Sequence, residues 1–302
     1  MGNERERAVS IDSTVLDSMI GPIRSESVMQ AWYRQEEFLP FRVGPDEARI
    51  GALLIHGFIG SPADMRGIAN EFTEAGIASE GALVPGMASE LDRMSTMTAE
   101  FWRQWALHLW DDHVDRYERR IVVGHSMGGS LALLIAAQAV VKPDLVVLLA
   151  PFTRIADWKA NILPIGQYFL RELSFFGRLD MDAPGTRDWF AKVMPGLELD
   201  DPMVQKAVQR DFEVPTVAIE QLRRLGNLAR REAKRIFAPT IIIQGHQDGV
   251  VLAEHTRSLV GVIPGLREYH EIGGDHMIPY PTFDSWPDVR AMLRRAIAYA
   301  GV

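Results

Sequence analysis

The sequence predicts an α/β fold, a mostly parallel central sheet with helices on both faces and a small helical cap inserted between two late strands. Three observations predict it. Short, continuous apolar runs recur at Ile50–Ile55, Ile121–Val123, Leu145–Leu149 and Thr240–Gln244, as expected of strands buried on both faces. Stretches rich in helix formers separate most of them, the rhythm of strand–helix–strand units. Between Leu149 and Thr240 that rhythm stops, and no clear buried strand is visible from about Thr153 to Arg235.

In chain order, residues 1–36 form an N-terminal extension of mixed charge. Val15–Ile20 and Val28–Tyr33 are short amphipathic stretches within it, and a helical arm or a partly ordered tail fits them equally. The core then spans residues 37–152 and 236–302. Phe38–Val43 reads as an edge strand, because Pro40 removes a ladder donor. After the buried strand Ile50–Ile55, Ser61-Pro62 supplies an N-cap and a first-turn proline for a helix to about Ala75. Ile77–Val84 is the next strand, closed by Pro85-Gly86. A helix over Ala99–Arg119 carries Phe101, Trp102, Trp105, Leu109 and Trp110 at helical spacing, which points to core packing.

The strand from Ile121, the helix from Leu131 and the strand Leu145–Leu149 follow. The insertion, residues 153–235, holds Phe169, Phe175, Phe176 and Trp189 and ends in a helix over Pro215–Arg235. An insertion at the C-terminal end of a strand sits where open sheets bind ligands, so it reads as a lid. Strand Thr240–Gln244, helix Ala253–Val262, strand Glu268–Ile272 and helix Asp284–Ala300 complete the chain.

The chemistry centres on Gly124-His125-Ser126-Met127-Gly128-Gly129. A β-branched run enters this stretch and helix formers leave it, so one serine stands at a sharp strand-to-helix turn, the nucleophile elbow. Strand and helix pass close together there, and glycines on either side of the serine make room.

A serine hydroxyl needs a base to take its proton, and that base needs a third group to orient it. Behind an elbow serine these partners follow as acid, then histidine, at the ends of later strands. Asp248 stands after Thr240–Gln244 and His276 after Glu268–Ile272, in that order. Asp275 and Asp157 are rival acids, although Asp275 is too close in sequence to His276 to turn onto its ring easily. The oxyanion of acyl transfer needs preorganised N–H donors. The backbone N–H groups of Met127, at the helix start, and Phe58, in the His56-Gly57-Phe58 turn, are the candidates. His56 reads as a residue that holds this turn, and His125 as one that packs or shapes the acyl pocket.

With these residues in place, the chain resembles the bacterial carboxylesterase and monoacylglycerol lipase family of serine α/β-hydrolases. The likeness rests on Leu53–Ser61, the Gly124–Gly129 elbow, Ala238-Pro239-Thr240 running into Gly245–Asp248, and Gly274-Asp275-His276, and it covers residues 38–302. It implies Ser126 as nucleophile, His276 as general base, Asp248 as its orienter, and Phe58 with Met127 as oxyanion donors. Pro85-Gly86-Met87-Ala88 departs from the Gly-His-Gly turn of many members, and residues before Phe38 have no counterpart. Both departures bear on substrate identity.

Composition limits the partners. The chain has 302 residues, 47% hydrophobic and 24% charged, with a formal net charge of −8. No basic run tracks a phosphate backbone, so nucleic acid is not an expected partner. With Cys at 0, a thiolate metal site, a disulfide and a cysteine nucleophile are excluded. The histidines show no metal-binding spacing, so no metal and no cofactor are expected. There is no secretory signal and no stretch long enough to span a bilayer, which leads to a cytoplasmic expectation.

The expected reaction is hydrolysis of a small carboxylic ester with an uncharged, partly apolar acyl group, through an acyl-enzyme. C–C bond, lactone or amide hydrolysis on the same triad stays open, as does a ligand-binding receptor with negligible turnover. Asp rather than Ser at position 126 would be needed for a dehalogenase or epoxide hydrolase. The sequence leaves the oligomeric state undetermined.

Overall fold

The computed structural model describes residues 28–155, 172–174, 179–211 and 213–301. Seven strands form one sheet in the order β1-β3-β2-β4-β5-β8-β9. They are β1 (Phe41–Val43), β2 (Ile50–Ile55), β3 (Ala78–Ala82), β4 (Arg119–His125), β5 (Leu145–Leu149), β8 (Thr240–Gly245) and β9 (Leu266–Ile272). Within this sheet β1 runs antiparallel to β3, and the other pairings among its described strands are parallel.

The continuous apolar runs have a simple cause. Leu53, Ile55, Val122, Val146, Leu148 and Ile242 face one core, while their neighbours Leu54, Ile121, Val123, Val147, Ile241 and Ile243 face a second core on the other side. Side chains alternate across a strand, so a strand covered on both faces must be apolar at every position.

Helices α2 (Arg66–Glu74), α3 (Ala99–Val114), α4 (Met127–Gln138) and α9 (Trp286–Tyr299) cover the sheet. Every residue of α4 from Met127 to Ala137 is buried, which explains its lack of a polar face. Thr98 caps α3 by accepting the N–H of Phe101 at 3.0 Å.

Several boundaries differ from the sequence expectation. The edge strand shortens to Phe41–Val43, leaving Pro40 outside the ladder. The strand expected over Ile77–Val84 narrows to Ala78–Ala82, and α3 stops at Val114 rather than Arg119. The helix expected over Ala253–Val262 is α8 (Ala253–Arg257), because the bonds beyond it tighten to the i→i+3 pattern at Leu259, Val260 and Val262. The aromatic stripe on α3 is core at Trp102 and Trp110, whose indole N–H groups donate to Pro85 O and Val141 O at 2.9 and 2.8 Å. Phe101, on the outer side, is 43% exposed and is not core.

Between β5 and β8 lie α5 (Pro184–Val193), α6 (Pro202–Asp211), α7 (Thr216–Glu232) and an antiparallel pair, β6 (Glu172–Ser174) with β7 (Glu213–Pro215). No strand is visible in the sequence here, since three residues are too few to show a period. Of the N-terminal extension, α1 (Val28–Trp32) and the turn to Phe38 dock on the body. Met29, Tyr33 and Phe38 form a third apolar cluster with Met181, Phe190, Met194, Leu199 and Val208 of the insertion. The stretch Val15–Ile20, Asp157, Phe169, Phe175 and Phe176 lie outside the described residues. Among the described residues, no helix is long and apolar enough to cross a membrane.

Candidate active site

Ser126 lies between β4 and α4 with φ 53° and ψ −116°, in the left-handed half of backbone space that a side chain rarely enters. What forces it there is crowding. A Cβ on Gly124 would lie 2.2 Å from Gly128 O, and one on Gly128 would lie 2.0 Å from Ile55 O. Only glycines let β2, β4 and the first turn of α4 approach this closely.

The ends of β8 and β9 bring the next two residues together. His276 Nδ1–H donates to Asp248 Oδ2 at 2.7 Å, and both side chains are buried. The other carboxylate oxygen accepts the N–H groups of Val250 and Val251, each at 2.8 Å, and Gln244 Nε2 donates to Oδ2 at 3.2 Å. Burial raises the Asp248 carboxyl, but the bond and charge of His276 and the two backbone donors outweigh it, leaving the group below the usual range. Asp275 is occupied elsewhere, accepting the N–H of Met277 at 2.8 Å.

The turn after β2 passes beside the serine, since a Cβ on Gly57 would lie 3.3 Å from Ser126 Cβ. Phe58 follows it, and Met127 is the first residue of α4, where N–H groups have no partner within the helix. His56 holds the turn. Its Nδ1–H donates to Gly57 O at 2.8 Å and its Nε2 accepts the N–H of Val84 at 3.0 Å, a pairing that fixes the neutral tautomer. Burial pushes it down to about 4. The departing segment Pro85–Ala88 also braces the turn, with Met87 Sδ accepting the N–H of Ile59 at 3.2 Å.

His125 does more than pack. Its Nε2–H donates to the main-chain oxygen of His276 at 3.0 Å, and the two rings lie 4.7 Å apart. Burial and the neighbouring His276 push it down to about 3, so it is neutral at ordinary pH.

Ser126, His125, His276 and Phe58 share a pocket of about 140 Å³ with Trp32, Tyr33, Asp64, Trp189 and Tyr280. Sequence reasoning missed Trp32, Tyr33, Asp64 and Tyr280. The one local signal was Asp64 at the third position after Ser61, a capping box in which its Oδ2 accepts the Ser61 N–H at 3.1 Å. That pattern announces a helix start and says nothing of a pocket. Among the described residues, no group of three His, Cys, Asp or Glu side chains is arranged to hold a metal ion.

Residues 46–274 match the Hydrolase_4 family, described as serine aminopeptidase, S33. The chain belongs to this family. It is 26% identical over 202 residues to a thermostable monoacylglycerol lipase of Bacillus sp. (strain H-257), covering 67% of this chain and 72% of that one. Among solved structures it is similar to one from the study of LipS and LipT, two metagenome-derived lipolytic enzymes. That match has a TM-score of 0.66 and 23% identity, covering 88% of this chain and 98% of the other. It is also similar to a Paleococcus ferrophilus monoacylglycerol lipase, with a TM-score of 0.62 and 18% identity over 86% and 98% of the two chains. The fold is the α/β-hydrolase fold, which hosts many chemistries, so function has to be argued from the pocket.

Proposed function

We propose that this hydrolase cleaves carboxylic esters through a serine acyl-enzyme, with Ser126 as nucleophile, His276 as base and Asp248 as orienter. The observation that carries the reading is the buried His276–Asp248 bond of 2.7 Å, in a pocket that also holds the elbow serine. Asp248 accepts from Nδ1, which leaves Nε2 with the free lone pair a base requires.

The steps follow from these groups. His276 Nε2 takes the Ser126 hydroxyl proton as Oγ attacks the ester carbon. The carbonyl oxygen becomes an oxyanion and accepts hydrogen bonds from the N–H groups of Phe58 and Met127, each worth about 3 kcal/mol of barrier. His276 then returns the proton to the departing alkoxide, and water repeats the sequence on the acyl-enzyme. Residues 153–235 serve as the cap over this site, and Trp189, Val193 and Met194 among the pocket-lining residues support that role. The acyl group is uncharged and of short to medium length.

A series of p-nitrophenyl esters from acetate to octanoate tests the proposal, with fluorophosphonate labelling of Ser126 read alongside. The expected result is turnover with a chain-length optimum, lost in Ser126→Ala. No turnover at any length would overturn the ester reading, and labelling without turnover would favour a receptor. Amide hydrolysis is a second reading, which the description of the matched family favours. Aminoacyl p-nitroanilides decide between the two.

A further inference from the structure

The pocket holds an arrangement that ester hydrolysis does not use. Six aromatic side chains, Trp32, Tyr33, Phe38, Phe58, Trp189 and Tyr280, line it, and one carboxylate, Asp64, stands among them. Among the described residues, no lysine or arginine contributes to the lining. The groups bonded to Asp64 are neutral: the Ser61 N–H at 3.1 Å, the Ser61 hydroxyl at 3.4 Å and the Tyr280 hydroxyl.

A buried carboxylate normally has a cationic partner, because hydrogen bonds alone do not neutralise its charge. Burial accordingly raises this carboxyl to about 6, against an ordinary 3.8. A ring-lined cavity with a fixed negative charge has the chemistry that recognises an ammonium group, through cation–π attraction and direct Coulomb attraction together.

The half of the substrate that meets this subsite follows from the proton path. On the ester reading, which this inference rests on, the leaving alcohol takes its proton from His276 and so departs beside the His276 loop. Met277 and Tyr280 of that loop line the pocket, and Tyr280 is the residue that bonds Asp64. We infer that the subsite formed by Asp64, Trp32, Tyr33 and Tyr280 takes an ammonium group carried on the alcohol half of the ester. The acyl half remains uncharged.

The test compares butyrylcholine with 3,3-dimethylbutyl butyrate, which have the same shape and differ by one charge. The free alcohols, choline and 3,3-dimethylbutanol, are titrated by tryptophan fluorescence alongside. The expected kcat/KM ratio is at least about tenfold in favour of the cation, in line with a desolvated cation–π contact. It falls towards one in Asp64→Asn and in Trp32→Leu, whichever way the absolute rates move.

A wild-type ratio at or below one overturns the inference and leaves Asp64 as a carboxylate that only caps the Ser61 turn. A high ratio that Asp64→Asn leaves unchanged removes Asp64 from the subsite. Should Asp64→Asn not fold, Trp32→Leu and the wild-type ratio still decide. If neither ester turns over, the p-nitrophenyl series decides the ester reading, and the alcohol titration decides the subsite separately: tighter binding of choline supports it, and equal or weaker binding overturns it.

Discussion

Acid should unfold this protein by charging two buried imidazoles, and the proton count can be worked out residue by residue. His56 and His125 have folded values of about 4 and about 3, against an ordinary 6.5. Their folded values are depressed, so below pH 6.5 the unfolded chain binds more protons and stability is lost as pH falls. Between pH 6.5 and 4.5 each histidine costs about 2 kcal/mol, with a slope near one proton, or about 1.4 kcal/mol per pH unit, around pH 5. Asp64 acts the other way. Its folded value of about 6 lies above an ordinary 3.8, so the folded chain takes that proton first and gains stability as pH falls through 6. The assay is urea unfolding at half-unit steps from pH 4.5 to 6.5. His125→Gln keeps an Nε2–H for the His276 carbonyl but cannot titrate, and it should flatten the slope near pH 5 by about 1.4 kcal/mol per unit. Asp64→Asn should steepen it by a similar amount. A wild-type slope in His125→Gln would refute the reasoning, because His125 would then titrate alike in both states.

Asp248→Asn should lower kcat on a p-nitrophenyl ester by about 10⁴ with little change in KM, since the amide misorients His276 without filling the pocket. Gly128→Ala drives a methyl group to within 2.0 Å of Ile55 O and 2.7 Å of His56 O, and thermal unfolding should show a loss of about 3 kcal/mol or no folded protein. On α3, Trp110→Ala should cost about 3–5 kcal/mol in urea unfolding, from the lost ring and its bond to Val141 O. Phe101→Ala on the same helix should stay within about 0.5 kcal/mol, because that ring faces outward.

What could be read from the sequence was what short-range signals encode. The strands β2, β4, β5 and β8 announce themselves because burial on both faces makes each position apolar. The elbow announces itself because Gly124 and Gly128 answer contacts only two residues from Ser126. That Asp248 and His276 meet was legible because each stands a few residues past a recognisable strand. The pocket wall was not. Trp32, Trp189 and Tyr280 meet from three distant parts of the chain, and no periodicity records such a meeting. Asp64 was hidden differently, because its bond to the Ser61 N–H gave it a sufficient local explanation. The pair β6–β7 is too short to carry a pattern, and the exposed Phe101 shows that helical spacing identifies a stripe without fixing its width.

The third apolar cluster has a thermodynamic consequence. It joins α1 and the turn to Phe38 to the insertion, and Trp32, Tyr33 and Phe38 also line the pocket. Filling the pocket and docking the N-terminal segment are therefore linked equilibria, and linkage is reciprocal. A ligand that packs on Trp32 holds α1 down by the same factor by which a docked α1 tightens the ligand. Protease cleavage near Trp32 should slow as the pocket fills, and a deletion ending at Phe38 should weaken binding while leaving Ser126, Asp248 and His276 in the chain. Whatever fills this pocket thus meets a helix that precedes the first strand of the sheet.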